Sequence, residues 1–262
     1  MSDNNNFNFT SEDFSQLSSF TFDNMDFNTM ADELNSLTES IISKLPEPSP
    51  EAIKEYQDDI DAMISASDKY SDKYDELDRQ TLNHAVRIEY ASGGECLHRG
   101  YYCPSPLLDR LVGGCNRGNK LLKPRANSRY YYKYYYDGQN RLIRCDKHMA
   151  GRCLEIEFMI YGVSNIYGFT FSAGHKSITL LSLEKYSDHG ALDQYITVLP
   201  DMVTGKKHHQ IHTSEKYGYG ENNQISQVIF FSGGVPKLKL LNEDTYRILY
   251  DEHQSISGFE RI

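Results

Sequence analysis

Tryptophan is missing from the 262 residues, and no run approaches the roughly 18–20 consecutive apolar residues that a membrane span needs. A helical membrane class is therefore excluded. Cysteine is scarce and odd in number, with five residues, which does not suit a secreted disulfide framework. The opening Met1-Ser2-Asp3-Asn4 has neither a basic segment nor an apolar run, so no signal peptide is expected. Reduced thiols in a cytoplasmic protein are the expectation. Hydrophobic residues reach only 39%, so part of the chain is expected to lie outside a packed core. Also missing are a nucleophile elbow, a phosphate-binding loop and a metalloprotease helix. No enzyme is predicted.

What the chain has in plenty is tyrosine, 20 residues, and acid, for a formal charge of −10. The charge is uneven: residues 1–92 carry 20 Asp/Glu against 6 Lys/Arg, a net −14, and the remainder carries +4. Two regions with different roles are implied. Residues 1–28 have no helical or strand period and read as a disordered tail, with half of the 12 Phe residues in it. Residues 29–92 read as an acidic helical hairpin. Leu34, Leu37, Ile41, Ile42 and Leu45 line one helical face up to Pro46. Ile53, Tyr56, Ile60, Met63, Ser67, Tyr70, Tyr74 and Leu77 then recur in steps of three and four. Tyr at seam positions packs poorly between helices, so this seam is expected to lie on another part of the same protein.

Residues 93–128 form a Cys/Gly connector, and 129–262 an antiparallel β domain rich in Tyr, Ile, Val and Phe. The predicted fold class is α+β: an N-terminal helical hairpin followed by a C-terminal antiparallel β-sheet, a meander of hairpins. A repeat runs through it. Tyr136-Asp137-Gly138-Gln139-Asn140-Arg141-Leu142 aligns with Tyr250-Asp251-Glu252-His253-Gln254-Ser255-Ile256 and with Tyr219-Gly220-Glu221-Asn222-Asn223-Gln224-Ile225. Tyr186-Ser187-Asp188-His189-Gly190-Ala191-Leu192 fits more loosely. Each places a small or turn-forming residue after Tyr, a residue able to take a turn conformation four on, and Leu or Ile six on, where it can pack against the Tyr across the hairpin neck. The segment 136–142 resembles the hairpin unit of YD-repeat (Rhs-type) proteins, which implies a hairpin-built sheet. By its acidity, tyrosine content and lack of catalytic motifs the chain is also similar to immunity proteins of bacterial polymorphic toxin systems.

Several constellations carry candidate chemistry. Cys96, His98, Cys103 and Cys115 could form a tetrahedral zinc site, although no paired Cys-x2-Cys knuckle is present; otherwise they are buried thiols. His208-His209-x-x-His212 reads as a solvated hairpin strand, on which His208 and His212 stand about 13 Å apart. Residues 117–144 interleave Lys and Arg with Tyr130, Tyr131, Tyr132, Tyr134, Tyr135 and Tyr136, the ingredients of a single-stranded nucleic-acid-binding module. Alternation sends about half of these rings to a core, and the basic residues can pair with the acidic helices of the same chain. The leading expectation is a non-enzymatic protein-binding protein, an immunity protein that neutralises a toxin domain by occlusion. Its partner-binding residues are expected at Tyr130, Tyr132, Tyr134, Tyr136, Asp137 and Arg141.

Overall fold

The computed structural model describes residues 50–94, 97–108, 116–124, 129–199, 211–220, 222–234 and 239–262. The chain divides into two units, Met1–Leu45 and Pro46–Ile262, and the described residues all belong to the second. The predicted tail and the helix over 30–45 lie outside the described residues.

Two helices come first: α1 (Pro50–Tyr70) and α2 (Tyr74–His84). The seam predicted as one continuous helix is interrupted at residues 71–73, where the Lys73 amide donates to the Tyr70 carbonyl. Its hydrophobic positions nevertheless work as a set. Tyr56, Ile60, Met63 and Leu77 are buried against the sheet, and each such side chain contributes about 2 kcal/mol by burial. Tyr70 meets Phe169 at 4.9 Å, and Tyr74 meets Phe158 and Phe171 edge-on. The helices therefore pack on the β domain of their own chain. No helix of the described residues is long and apolar enough to cross a membrane.

The remainder is one antiparallel sheet: β1 (Arg87–Ser92), β2 (Lys120–Leu121), β3 (Tyr130–Tyr136), β4 (Leu142–Met149), β5 (Arg152–Tyr161), β6 (Asn165–Ser172), β7 (Ile178–Tyr186), β8 (Leu192–Leu199), β9 (Ile211–Tyr219), β10 (Ile225–Gly234), β11 (Lys239–Tyr250) and β12 (Ile256–Arg261). From β3 to β12 each strand pairs with the next in sequence, and β1 lies between β3 and β2. The protein is mostly β rather than a balanced α+β. Residues 87–92, expected within the helical hairpin, are instead a strand: Arg87 to Ser92 pair with Tyr136 to Tyr131 residue by residue.

The repeated hairpins share one geometry. In all four aligned segments the residue after Tyr donates its amide to a carbonyl four residues on and accepts at its own carbonyl three residues on, as at Asp137/Arg141 and Asp137/Asn140. Asn140, Gly190, Asn223 and Gln254 take the left-handed conformation, with φ of 61, 78, 57 and 59°. This is a type I turn closed by a left-handed residue. Asp137 and Asp251 each accept two loop amides on Oδ1. Across each neck Tyr and Leu or Ile are register partners: Tyr136/Leu142, Tyr186/Leu192, Tyr219/Ile225 and Tyr250/Ile256. A further copy escaped the alignment. Tyr161 pairs with Ile166 around a loop one residue shorter, and the Gly162 amide bonds the Asn165 carbonyl. With it, Tyr136, Tyr161 and Tyr186 fall 25 residues apart. Tyr161, Tyr219 and Tyr250 each donate at 2.9 Å to the neck carbonyl of the preceding unit, at Leu142, Leu192 and Ile225.

The sheet is covered on both faces. The helices lie over Phe158, Phe169, Phe171, Leu181, Leu183 and Ile196. The connector lies on the other face, with Tyr101 and Tyr102 against the β3 tyrosines and Leu107 against Tyr195, Tyr217 and Val228.

Candidate functional site

Under the connector the sheet carries carboxylates that sequence reasoning did not single out. Glu157 on β5, Glu184 on β7 and Glu215 on β9 all point to this face and are buried. Their cation is Arg99, which sits in the turn entering the short 3-10 helix Gly100–Tyr102. Arg99 Nε and one terminal nitrogen form a two-pronged contact with Glu157, both at 2.9 Å, and the other terminal nitrogen meets Glu184. Ser182 adds a hydroxyl bridge, accepting from Arg99 at 3.2 Å and donating to Glu157 at 3.0 Å. His98 completes the cluster: its Nε2 lies 2.9 Å from Glu157, and its Nδ1 pairs with the Tyr195 hydroxyl.

Local backbone makes this approach feasible. Arg99 has a left-handed φ of 59°, unusual for a residue with a side chain, and Gly100 follows at 55°. A Cβ on Gly100 would stand 2.5 Å from the Tyr132 ring. Below the guanidinium, Gly168 on β6 leaves the space that Glu157, Ser182 and Arg99 occupy. Burial alone would raise the Glu157 carboxyl; Arg99 and His98 beside it outweigh that and hold it well below the usual carboxylate range. At Glu215 the balance goes the other way, and burial outweighs Arg117, the charge that lowers its carboxyl. Burial raises its carboxyl despite hydroxyl donors from Ser105 at 2.7 Å and Tyr217 at 2.8 Å.

Beside this cluster opens a cleft of about 330 Å³. Thr170, Thr179, Leu180, Thr197, Leu199 and Thr213 contribute to its lining, together with His98, Arg99, Glu157, Lys147 and Glu155. The Thr197 and Thr213 hydroxyls bond each other at 2.7 Å, and the buried Thr170 hydroxyl has no hydrogen-bond partner among the described residues. The described thiols do not form disulfides. Burial pushes Cys103 up to about 12 and Cys145 well above its ordinary value, so neither is poised as a nucleophile.

The residues expected to meet a partner are placed differently. Tyr132, Tyr134 and Tyr136 are buried, which takes their rings from solvent. Tyr132 donates to the Gly94 carbonyl at 2.9 Å and Tyr134 to the Arg99 carbonyl at 2.8 Å. What these tyrosines hold is the chain's own connector. Tyr136 faces Glu89 and the Arg87 guanidinium, which lies 3.7 Å from its ring centre. Asp137 is spent on its hairpin, with Arg141 donating to it at 2.8 Å while lying over the Tyr161 ring. Tyr130 sits partly exposed at the other end of β3, paired with Met149. Of the zinc candidates, His98 and Cys103 belong to the buried connector, while Cys96 and Cys115 lie outside the described residues. His208 and His209 also lie outside them. His212, expected on a solvated strand, is buried against Tyr56 with ring centres 4.8 Å apart, because α1 covers that face.

The expected pairing of basic sheet residues with acidic helices is present, mostly through other cations. Arg144 meets Asp78 at 2.5 Å, Lys176 meets Asp75 at 2.6 Å, Lys216 meets Glu55 at 3.1 Å, and Lys185 meets Asp59. The buried acids did leave a sequence signal. Glu184-Lys185-Tyr186, Glu215-Lys216-Tyr217 and Asp244-Thr245-Tyr246 repeat an acid and a tyrosine two apart. In each the tyrosine hydroxyl donates to the acid on the same face. No protein family matches the chain, and no curated protein matches it.

Proposed function

We propose that this chain is a non-enzymatic, cytoplasmic protein-binding protein, an immunity protein that covers a basic toxin domain. The observation that carries this reading is the solvent side of α1 and α2. Glu55, Asp58, Asp61, Asp68, Asp72, Asp75 and Glu76 are all exposed there, against Lys54, Lys69, Lys73 and Arg79. Asp58, Asp61 and Glu76 make no salt bridge among the described residues, so their charge projects outward. Such a face attracts a cationic partner and accelerates encounter, most strongly at low salt. A nucleic-acid-cleaving toxin domain, basic where it holds its own substrate, has the complementary chemistry. The groups beneath the connector support binding over catalysis, because the charges of Arg99 and Glu157 are already satisfied within the chain.

Co-expression with a toxin domain encoded beside the chain's gene tests the reading. Cell survival and a purified stoichiometric complex are expected; continued killing with no complex overturns it. Asp58→Lys, Asp61→Lys and Glu76→Lys together should slow association at least tenfold at low salt while leaving stability within about 0.5 kcal/mol, as surface changes do. An unchanged association rate would remove α1 and α2 from the interface.

A further inference from the structure

On the helix-facing side of the sheet, at the β4–β5 hairpin, three chemically different donors converge. Asp146 and His148 stand two apart on β4 and share a face. Cys153, on β5, is the register partner of His148. That pairing exists because of a register shift between Lys147 and His148: Lys147 faces Glu155, and the next pair is His148 with Cys153. Leu154 is the extra residue. The bulge turns the thiol onto the face of Asp146 and His148, a re-aiming that bulges commonly provide next to functional sites. One donor atom from each of the three lies within 4.8 Å of the others.

The histidine is the telling member. Both of its ring nitrogens are buried and neither has a hydrogen-bond partner among the described residues; the approach to the carboxylate is 4.0 Å, from Nε2 to Asp146 Oδ2. Buried polar atoms in folded proteins are ordinarily partnered. The ring itself is held, stacked on Tyr131 with centroids 4.5 Å apart and planes 5° apart. Asp146 is held too: Arg144 Nε donates to Oδ1 at 2.5 Å, and the Tyr135 hydroxyl donates to Oδ2 at 2.9 Å. Donors behind a carboxylate are what orient a ligand, and a carboxylate with about four lone-pair sites retains room for an ion.

We infer that Asp146, His148 and Cys153 form a binding site for a divalent transition metal of the zinc type. A thiolate, an imidazole and a carboxylate make a three-ligand set that leaves a fourth position for water or an exogenous donor. The Cys153 proton leaves to buffer as the Sγ–metal bond forms. This site is distinct from the Cys96, His98, Cys103 and Cys115 set, and it does not depend on the immunity reading.

The test is titration of the full-length, chelator-treated protein with Zn2+ alone against a chromophoric chelator, and with Co2+ alone followed by absorption. One equivalent is expected. The cobalt form should show a thiolate-to-metal charge-transfer band and the visible bands of a tetrahedral site. Cys153→Ser should abolish the charge-transfer band, and His148→Gln should weaken Zn2+ binding by more than the 10–100-fold that loss of an outer partner costs. Tyr135→Phe should weaken it within that smaller range. Circular dichroism and melting of the metal-free variants identify any that fail to fold, and Cys103→Ser should bind as the parent does. No Zn2+ bound at tens of micromolar overturns the proposal, as does a charge-transfer band that survives Cys153→Ser.

Discussion

Replacing Gly168 by Ala puts one methyl group into the buried polar contact of Arg99, Glu157 and Ser182. A Cβ there would stand 2.0 Å from Glu157 Oε1, 2.1 Å from Ser182 Oγ and 2.9 Å from an Arg99 terminal nitrogen. Nothing in the backbone forbids alanine, since Gly168 is not left-handed, so the whole effect is steric and electrostatic. Glu157 and Ser182 belong to the strands flanking β6 and are fixed by the ladder, so the side chains must yield. Either the two-pronged contact with Arg99 breaks, at about 3–5 kcal/mol for a buried pair, or the site strains around the methyl at about 1–3 kcal/mol. A gain of about 0.5–1 kcal/mol from removing a strand glycine offsets part of this. The expected net loss is about 3 kcal/mol. Gly218→Ala is the control, because its nearest neighbour would be the Gln227 Cβ at 3.5 Å, an ordinary contact. It should be neutral or stabilising by up to about 1 kcal/mol. Urea unfolding followed by circular dichroism suits a chain without tryptophan, and the midpoints of the two variants should differ by roughly 1–2 M. If Gly168→Ala unfolds within about 0.5 kcal/mol of Gly218→Ala, the Arg99 cluster is not a rigid element and does not fix the connector to the sheet.

Other perturbations follow from the same contacts. His212 is buried without a hydrogen-bond partner among the described residues, and burial lowers its pKa from 6.5 to about 4. The unfolded chain therefore binds the proton more readily, so this stability is complete above pH 6.5 and is lost as pH falls toward 4, with about 2 kcal/mol gone by pH 5. Urea titrations should show His212→Leu losing less stability than the parent between pH 7 and 5; parallel curves would place the imidazole in contact with water. Arg99→Met leaves Glu157 and Glu184 buried without their shared cation, so it should cost about 3–5 kcal/mol at pH 7 and become less costly at pH 5, where the carboxyls can take up protons. A cost independent of pH, measured by the same unfolding curves, would contradict it. Asp137→Ala removes the acceptor of two loop amides and the Arg141 pair, and should lower stability by about 1–2 kcal/mol, whereas Asn140→Gly, at a left-handed position, should be close to neutral in thermal melts.

The hairpins were legible because they are local. Strand alternation over Tyr130–Tyr136 and the turn chemistry of Asp137–Arg141 act within a few residues, and the backbone realises both. The Tyr161 copy was obscured for a physical reason. Its loop is one residue shorter and is closed by the Gly162–Asn165 bond, so it lacks the left-handed residue that the others share. The break between α1 and α2 has no proline or glycine to announce it. The charge cluster is illegible for a different reason: Arg99 reaches Glu157 and Glu184 across 58 and 85 residues, and only the strand order brings those two glutamates to either side of Gly168 on one face of the sheet. The reading of the β3 tyrosines as contact residues rested on their number. Burial beneath the connector was not visible, because the covering segment has the composition of a loop.

The repeat also explains where the connector must dock. Along β7, β9 and β11 each buried acid has a tyrosine two residues on that donates to it. On β5 that position is Met159, and the Tyr161 hydroxyl is committed to the Leu142 carbonyl. Glu157 is thus the acid of the series that its own strand cannot satisfy. Ser182 on β7 supplies one hydroxyl but no charge, and leaving such a carboxylate buried without a cation would cost several kcal/mol, so the cation must come from outside the sheet. A connector held only by apolar contacts would face nearly the same surface again two strands away, a displacement of about 10 Å. The requirement that Arg99 reach Glu157, over a glycine that no neighbouring strand duplicates at that contact, removes this degeneracy. The buried charge therefore specifies register: it selects one docking position on a sheet whose repeats would otherwise offer several.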